Sequence, residues 1–272
     1  MILTPSDIAA DLAVDLRSGT PTRRTIDTRA ITAGSAFPAT VARYIEPLSV
    51  TGTSFTVARV AASGTPVAIV GEGATKPTAG SVTVETVNLD KFSGLVEFTL
   101  ESSMSAAGLT GAIYAALAGQ ALSAYEVAAI AAIKTGADKT HEYSTAEGYV
   151  GGILTAQGQL LAAGGNPSLL CVSPSDVAAL GQTMLNSSPE TGIAGGRTWG
   201  GAYVHVSHAL AAGEAIVMDP ASTANAWHED SPAIILDSLT LAASNKSRLV
   251  VDVFAATVVT YGALVVPVVA AA

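Results

Sequence analysis

The sequence has few of the residues on which disulfide frameworks, charged surfaces and large ligand pockets depend. It has one cysteine, Cys171, so an intrachain disulfide is excluded, and a small buried apolar role is expected for this thiol. Aromatic residues make up only 5% of the chain, which disfavours a large ligand pocket. Charged residues make up 13%, about half the usual share, and mean hydropathy is +0.45. A single copy therefore presents little charge to water, and much of its surface is expected to meet other chains.

The charge that is present is mainly negative. Lys and Arg number 13 against 22 Asp and Glu, which gives a formal net charge of −9. This balance disfavours a protein that grips phosphate backbones, although it allows a container that encloses nucleic acid loosely. Near the N-terminus, Asp7, Asp11 and Asp15 stand where a secretory signal would have Lys or Arg. Export by that route is not expected, and the single cysteine favours a reducing compartment.

Two apolar stretches could be taken for membrane spans. The run Ala106 to Ile133 has Gln120 and Glu126 near its middle, and the run Ala263 to Ala272 is too short to cross a bilayer. Both are interpreted as elements packed against protein, and no membrane partner is predicted.

The N-terminal region is predicted to be a helix followed by an extended arm. Thr4 is placed as an N-cap, Pro5 at the first helical position and Asp7 near the positive helix end, so a short helix to about Arg17 is expected. Ser18 to Pro38 has no sustained hydrophobic period. We expect this segment to become ordered only by lying on another surface.

A β-ribbon is predicted next. Alternation of side-chain type predicts strands at Ser54–Val60 and Ser81–Thr86, joined by a long tip rich in Gly and Pro. The tip is longer than the loops that usually join strands within one domain. Because an isolated two-stranded ribbon is marginal in water, this one is expected to lie on a neighbouring subunit.

The clearest predicted element is a long helix. It follows a strand at Phe92–Glu101 and spans Ser105–Lys134, with Gly136 as the stop signal. At 1.5 Å per residue it would be about 45 Å long. Small residues between its apolar anchors allow a sheet to approach closely, so a spine role is expected. The anchors recur at helical spacing and are Leu109, Ile113, Leu117, Leu122, Tyr125, Ala129 and Ile133.

The second half mixes helices and strands without regular alternation, which predicts an α+β fold. A helix is predicted at Ala146–Gly164, a buried strand at Leu169–Val172, and a helix over 173–185 with Ser173 as N-cap. Asn186–Gly201 is predicted to be an exposed loop. Further strands are predicted at Ala202–Ser207, Ala215–Asp219, Ala233–Leu241 and Leu249–Tyr261.

The order of these elements resembles that of the major capsid proteins of tailed bacteriophages, whose fold is named for phage Hong Kong 97. The resemblance covers most of the chain and is carried by the order of parts more than by invariant residues. The similar parts are an arm at Met1–Ile45, an extended loop at Ser54–Asp90 with Glu72–Pro77 at its tip, a spine helix at Ser105–Lys134, an axial strand and helix at Leu169–Leu185, the run Trp199–Ser207 followed by Gly213–Pro220, and closing strands at Arg248–Val269.

The resemblance implies a Hong Kong 97-like α+β fold with an N-terminal arm, an extended β-hairpin loop, a peripheral domain with a long spine helix, and an axial domain. The implied boundaries are 1–45 for the arm, 46–92 for the loop and its flanking strands, 93–143 for the peripheral domain, 144–242 for the axial domain and 243–272 for the return strands of the peripheral domain.

The resemblance also implies a structural function and no enzymatic one. Subunits would form pentamers and hexamers of an icosahedral phage head that encloses double-stranded DNA without sequence-specific binding. The protein would be made in the cytoplasm of a bacterial host and would reside in the virion, with scaffold, portal and cement proteins as partners and no cofactor. In this family the arm and loop clasp adjacent subunits, so the candidate interface residues are Arg23, Arg24, Arg29, Glu72 and Lys76.

The best-known member of the family joins a loop lysine to an asparagine of a neighbouring subunit, with a glutamate as proton acceptor. Lys76 or Lys91 could take the first role and Asn245 the second. Residue type alone is a poor guide, since the chemistry needs a desolvated amine and a positioned base. Solvated surface roles are favoured for these side chains.

No catalytic or metal-binding set stands out in the sequence. His205, His208 and His228 invite a metal site, but histidines three apart on a strand point to opposite faces, and no Cys or acidic cluster completes the set. They are interpreted as ordinary surface or interface histidines. Two alternatives to a phage head stay open: an encapsulin-type compartment with the same fold and a protein cargo, and a hydrolase or binding protein with a site in 199–228.

Overall fold

The structure is a computed structural model that describes residues 40–62, 80–99, 109–181, 201–237 and 245–271, the strands at 22–25 and 198–199, and residues 70, 72 and 75. Within these ranges, strands and helices form two six-stranded sheets, a separate two-stranded ribbon and two long helices. The helices are α1, Leu109–Gly136, and α2, Gly148–Ala162. The predicted α+β class is confirmed.

The strands account for most of the remaining residues. In chain order they are β1, Thr22–Thr25; β2, Pro47–Val50; β3, Ser54–Ala62; β4, Gly80–Asn88; β5, Asp90–Thr99; β6, His141–Tyr143; β7, Leu169–Val172; β8, Thr198–Trp199; β9, Ala202–Val206; β10, Ala215–Met218; β11, Thr223–His228; β12, Ala233–Asp237; β13, Lys246–Val259; and β14, Val265–Ala270. Strands β3 and β4 form the ribbon that was predicted from alternation. The helix predicted at 4–17 and the arm up to residue 39, apart from β1, lie outside the described residues.

The first sheet is organised by β13, which has 14 residues. It pairs antiparallel with β5, β11 and β12. Because β5 and β12 share partners over Arg248–Asp252, they lie on opposite edges of β13. Strand β1 then adds antiparallel to β12, and β2 adds parallel to β11. The surface on which this part of the arm lies is thus the chain's own sheet.

Helix α1 covers one face of the first sheet. Along β5, Phe92, Val96 and Phe98 are buried or half-buried while Leu95 and Glu97 on the other face are exposed, which is the alternation predicted for this strand. The helix starts at Leu109 in the described part of the chain and continues through Gly136, two residues beyond the predicted end. Of the predicted anchors, those that are buried are Leu117, Leu122, Tyr125, Ala129 and Ile133.

By length and composition, α1 could also cross a membrane. The qualifying segment is Gly111–Gly136, and half of its most apolar window is buried inside the fold. A core helix passes the same test, and the burial against the first sheet is the packing predicted for this run.

Gly136 ends α1 at a point where a side chain would collide with β13. A Cβ at this position would lie 2.6 Å from Cβ of Val259. We expect Gly136→Ala to lower the free energy of unfolding by about 1–3 kcal/mol, because the helix or the strand must shift. Gly158→Ala in α2 is the matched control, since nothing lies within 4 Å of a Cβ there, and it should be neutral or stabilising by about 0.5–1 kcal/mol. Denaturant unfolding measures both changes, and equal effects would contradict the steric account.

The second sheet has the strand order β6-β14-β10-β7-β9-β8. Helix α2 packs on it, and Ile153 and Leu160 of the helix join Leu170, Val217 and Val268 of the sheet in a second core. All four residues of β7 are buried, as predicted, and they include Cys171, which is free. Strands β9, β10, β12 and β13 confirm the four strands predicted after residue 201, although 238–244 lie outside the described residues.

The helix after β7 begins later than predicted. The Ser173 Oγ accepts a hydrogen bond from the Ser175 N–H at 3.2 Å within a turn, and the first helical residue is Val177. The Asp176 carbonyl accepts the N–H of Leu180 at 3.1 Å, so Asp176 stands at the N-cap and the assignment of Ser173 was wrong. The predicted end of this helix and residues 186–197 lie outside the described residues, while 198–199 form β8 where a loop was predicted.

Candidate assembly surfaces

The ribbon of β3 and β4 has two unlike faces. On one face, Phe55 and Val57 are buried and pack against the first sheet through Ala226, Ala256 and Val258. Arg59 on the same face donates from Nε to the carbonyl oxygen of Val259 at 3.1 Å and pairs with Glu85 of β4 at 3.3 Å. The base of the ribbon is therefore held on the body of the same chain by packing and by a side-chain hydrogen bond.

The opposite face of the ribbon has no partner among the described residues. Val84 is 73% exposed and Val82 is 63% exposed, the two largest values for large hydrophobic side chains in the described part of the chain. Thr56, Ala58 and Thr86 on this face are also exposed, so the described part of the face is uncharged. Burying a valine side chain stabilises by about 1.5–3 kcal/mol, so this face gains from a covering surface.

The predicted interface residues fall partly inside the described structure. Arg23 and Arg24 lie in β1, where their backbones are in register with Ile235 and Ile234 of β12. Glu72 lies in an exposed turn between the two ribbon strands. Arg29 and Lys76 lie outside the described residues. No described contact tests these five residues as an interface, so that assignment stays a prediction.

Lys91, a candidate for crosslinking, is engaged within its own chain. Its Nζ lies 3.0 Å from a carboxylate oxygen of Asp252 and 5.5 Å from the centre of the Phe254 ring. The Ser93 hydroxyl donates to the other oxygen of Asp252 at 2.5 Å. Lys91 pairs with Phe254 at one end of the β5–β13 ladder, whereas Asn245 directly precedes the other end, so the two lie far apart within one chain.

A buried carboxylate lies where α1 meets the second sheet. Glu126 is 1% exposed and accepts hydrogen bonds from the Val41 N–H at 2.7 Å and the Ser207 hydroxyl at 2.5 Å. Its third contact is with Nε2 of His205 at 2.8 Å, and His205 is 2% exposed. We call this group of four residues the carboxylate joint. Every oxygen of the buried carboxylate thus has a donor, as buried charge requires.

The electrostatics of the carboxylate joint follow from these contacts. Burial by itself raises the pKa of Glu126, but the hydrogen bond and charge of His205, together with the bonds from Ser207 and Val41, outweigh it and hold the pKa below its ordinary value. Burial and the Glu126 charge raise the pKa of the Cys171 thiol well above its usual range. Burial likewise raises the pKa of Tyr125 and, less strongly, of Tyr44. Cys171 is therefore inert, as expected of a small buried residue.

One of the three histidines differs from the interpretation as surface or interface residues, whereas His208 is exposed and His228 is half-buried. His205 is not a surface residue, because its side chain is buried against Glu126. His208 lies beyond the end of β9 and contacts the Ser123 hydroxyl at 2.8 Å, and His228 contacts the Thr51 carbonyl oxygen at 3.1 Å. Within the described residues, no group of three or more His, Cys, Asp or Glu could hold a metal ion.

A cavity of about 90 Å³ lies between α1, β13 and the residues where β4 is followed by β5. Ligand pockets usually have about 300–1,000 Å³. Five of its eleven lining residues are alanine, and none comes from 199–228, the region named for an alternative hydrolase or binding site. The lining residues are Val87, Asn88, Asp90, Phe92, Tyr125, Ala128, Ala129, Ala132, Ala255, Ala256 and Thr257.

Solved structures similar to this chain match it over most of its length. A chain from Mycobacterium phage Bobi has a TM-score of 0.63 at 18% identity, with 88% of this chain and 93% of that chain covered. The capsid of the empty GTA particle has a TM-score of 0.64 at 12% identity, with 85% and 90% covered. The neighbours include phage major capsid proteins. The chain has the Hong Kong 97-like capsid fold.

The Hong Kong 97-like fold is also shared with the virus-like particle from Pyrococcus furiosus. That structure has a TM-score of 0.58 at 11% identity, with 95% of this chain and 96% of that chain covered. No protein-family model matches the sequence, and no curated protein matches it. The relation to the capsid fold is therefore visible in the order and packing of the elements, as the predicted resemblance required.

Proposed function

We propose that the chain is a major capsid protein, a structural subunit that assembles into a closed shell. The observation that carries this proposal is the exposed, uncharged outward face of the ribbon around Val82 and Val84. A closed symmetric array gives every copy the same neighbour, so it can cover this face on all copies at once. The Hong Kong 97-like fold supports the proposal, since its neighbours are capsid proteins.

In finer terms, we propose pentamers and hexamers of an icosahedral phage head that encloses double-stranded DNA. The net charge of −9 supports a container that does not bind the enclosed nucleic acid tightly. The head would be made in the cytoplasm of a bacterial host and would mature with portal, scaffold and cement proteins, without a membrane and without enzymatic activity. Arm and loop would clasp adjacent subunits through Arg23, Arg24, Arg29, Glu72 and Lys76.

The proposed domains correspond approximately to the two sheets, but some strands pair with the sheet of the other domain. The first sheet with α1 corresponds to the peripheral domain, and the second sheet with α2 to the axial domain. Strands β11 and β12, inside the range 144–242 given to the axial domain, pair with β13 of the first sheet. Strand β14, inside the range 243–272 given to the peripheral return, pairs with β10 of the second sheet. Strand β6, inside the range 93–143 given to the peripheral domain, pairs with β14 of the second sheet. A division by sheets therefore moves these four strands across the proposed boundaries.

Electron microscopy of the purified full-length chain, with sedimentation alongside, tests the shell. We expect closed particles or ring-shaped capsomers and a sedimentation coefficient far above that of a 27.2 kDa chain. A chain that stays monomeric at high concentration would contradict the proposal. This test uses the unsubstituted protein.

An encapsulin-type compartment is the second candidate, because the virus-like particle from Pyrococcus furiosus shares the fold over nearly its full length. The two candidates differ in their contents. Particles purified from the native source should contain double-stranded DNA if the chain builds a phage head, and protein if it builds a storage compartment. Nuclease digestion and protein analysis of the particle contents distinguish them.

A further inference from the structure

The carboxylate joint brings together three parts of the chain that are distant in sequence. Val41 begins the short 3-10 helix Val41–Tyr44, near the end of the range 1–45 given to the N-terminal arm. Glu126 lies in α1, 85 residues later, and His205 and Ser207 lie at the end of β9, a further 79 and 81 residues on. A single side chain of α1 therefore connects the 3-10 helix with the end of β9 in the second sheet.

The two carboxylate oxygens of Glu126 have different hydrogen-bond partners. Oε1 of Glu126 contacts both His205 Nε2 and the Ser207 hydroxyl, whereas Oε2 accepts the Val41 N–H and no other hydrogen bond from the described residues. The two oxygens belong to one rigid planar group, so a bond at Oε2 also fixes the orientation of Oε1. Each set of bonds therefore holds the carboxylate in the orientation that the other set needs.

Packing adds a second connection between the same parts. Val41 is fully buried, and Ala42 and Ile45 are 3% exposed in the main core. The Tyr44 ring lies 5.5 Å from the His205 ring and 6.3 Å from the Tyr203 ring, both in β9. The 3-10 helix thus rests directly on the strand whose end is bonded to Glu126.

We propose that the carboxylate joint is a latch in which Glu126 couples the position of the chain at Thr40–Val41 to the attachment of the end of β9 to α1. When the Val41 N–H leaves Oε2, the bonds to His205 and Ser207 loosen, and the end of β9 becomes more mobile. The latch belongs to the single chain and operates whether or not the chain builds shells.

Val41→Pro removes the N–H and also changes the buried side chain. Thr40 has φ −114° and ψ 159°, a conformation that suits the residue before proline, and Val41 stands at the first position of a helix, where proline is tolerated. Val41→Ala is the matched control, since it also trims the buried side chain but keeps the N–H. The difference between the two variants isolates the hydrogen bond.

Hydrogen exchange of the full-length chain is the measurement. The reporter is the amide of Ser207, which donates to the Val172 carbonyl at 2.9 Å at the end of β9. We expect Val41→Pro to speed exchange of this amide about tenfold or more relative to Val41→Ala, as loss of a bond to a charged group would. Equal exchange at Ser207 in the two variants would overturn the latch.

Glu126→Gln provides a second test that does not depend on proline. To keep its oxygen on His205 and Ser207, the amide must turn its NH₂ toward the Val41 N–H, where two donors face each other. Glu126→Gln and Val41→Pro then break the same bond, so the double variant should exchange at Ser207 no faster than the quicker single variant. If the two effects multiply, the sites are independent and the latch is absent.

Discussion

The combined substitution Val82→Glu and Val84→Glu should abolish shell formation while the chain itself folds normally. Both side chains are more than 60% exposed in the single chain, at 63% and 73%, so little packing is lost. In a shell, the same positions would place two carboxylates on a covered surface without partners, and burying an unpaired charge costs several kcal/mol at each site. Because every copy repeats that cost, assembly should fail even though the monomer is stable.

The control for this experiment lies on the same strand. Ser81→Glu with Thr83→Glu adds the same charge at two exposed positions that point to the opposite face of β4, beside Arg59. We expect this chain to form particles in electron microscopy and the Val82/Val84 variant to sediment as small species, with equal melting temperatures. Particles from both variants would show that the outward face of the ribbon is not an assembly surface.

Glu126→Ala should produce the largest loss of stability of any single substitution considered for this chain. It leaves the Val41 N–H, the Ser207 hydroxyl and Nε2 of His205 without their acceptor in a dry interior. Removing one partner of a buried pair typically costs about 3–5 kcal/mol. Glu147→Ala is the matched control, since Glu147 makes the same kind of contact with His141 at 3.1 Å on a more solvated surface, and its loss should be much smaller. Denaturant unfolding of both variants at neutral pH gives the comparison, and similar losses would contradict the role of burial.

The same carboxylate gives stability a defined dependence on acid. The pKa of Glu126 in the folded chain is below its ordinary value of 4.5, so the ionised form stabilises the fold and the unfolded chain takes up the proton first. The stability advantage of the unsubstituted chain over Glu126→Gln should be constant near neutral pH. It should shrink as the pH falls below 4.5 and through the folded pKa, and an advantage that grows in acid would contradict this sign.

The elements with strong periodicity were predictable, whereas those set by tertiary pairing were not. The anchors of α1 recur over seven turns, and β7 is a continuous apolar run, so local sequence sufficed for both. Strand β11 contains a buried asparagine, Asn225, between apolar residues, and its extended shape depends on β13. Strands β2 and β6 have four and three residues and exist only as parallel additions to β11 and β14. Such short strands have no period to detect.

The candidate surfaces also include features that local sequence predicts and features that depend on distant residues. The ribbon and its need for a covering surface follow from alternation and tip length, because both are local properties. The carboxylate joint could not be predicted, since its donors lie 79 to 85 residues from Glu126 along the chain. One feature of the sequence did point to the joint. Glu126 is a lone carboxylate in an apolar helix face beside Tyr125 and Ala129, and a buried carboxylate needs hydrogen-bond donors. The sequence does not identify His205 as the histidine that contacts this carboxylate.

Strands β4 and β5 are separated only by Leu89, so residues 80–99 run as one extended segment from the ribbon into the first sheet. Its second half is held against β13 by ten residue pairs, from Asp90 with Ala255 to Thr99 with Lys246. The hydrogen bonds of an antiparallel ladder lie perpendicular to the strands. A pull on the ribbon along its length would therefore load these bonds in shear, all together, instead of opening them one after another. Tension applied at the ribbon would reach the core of the subunit as a force that the whole ladder shares.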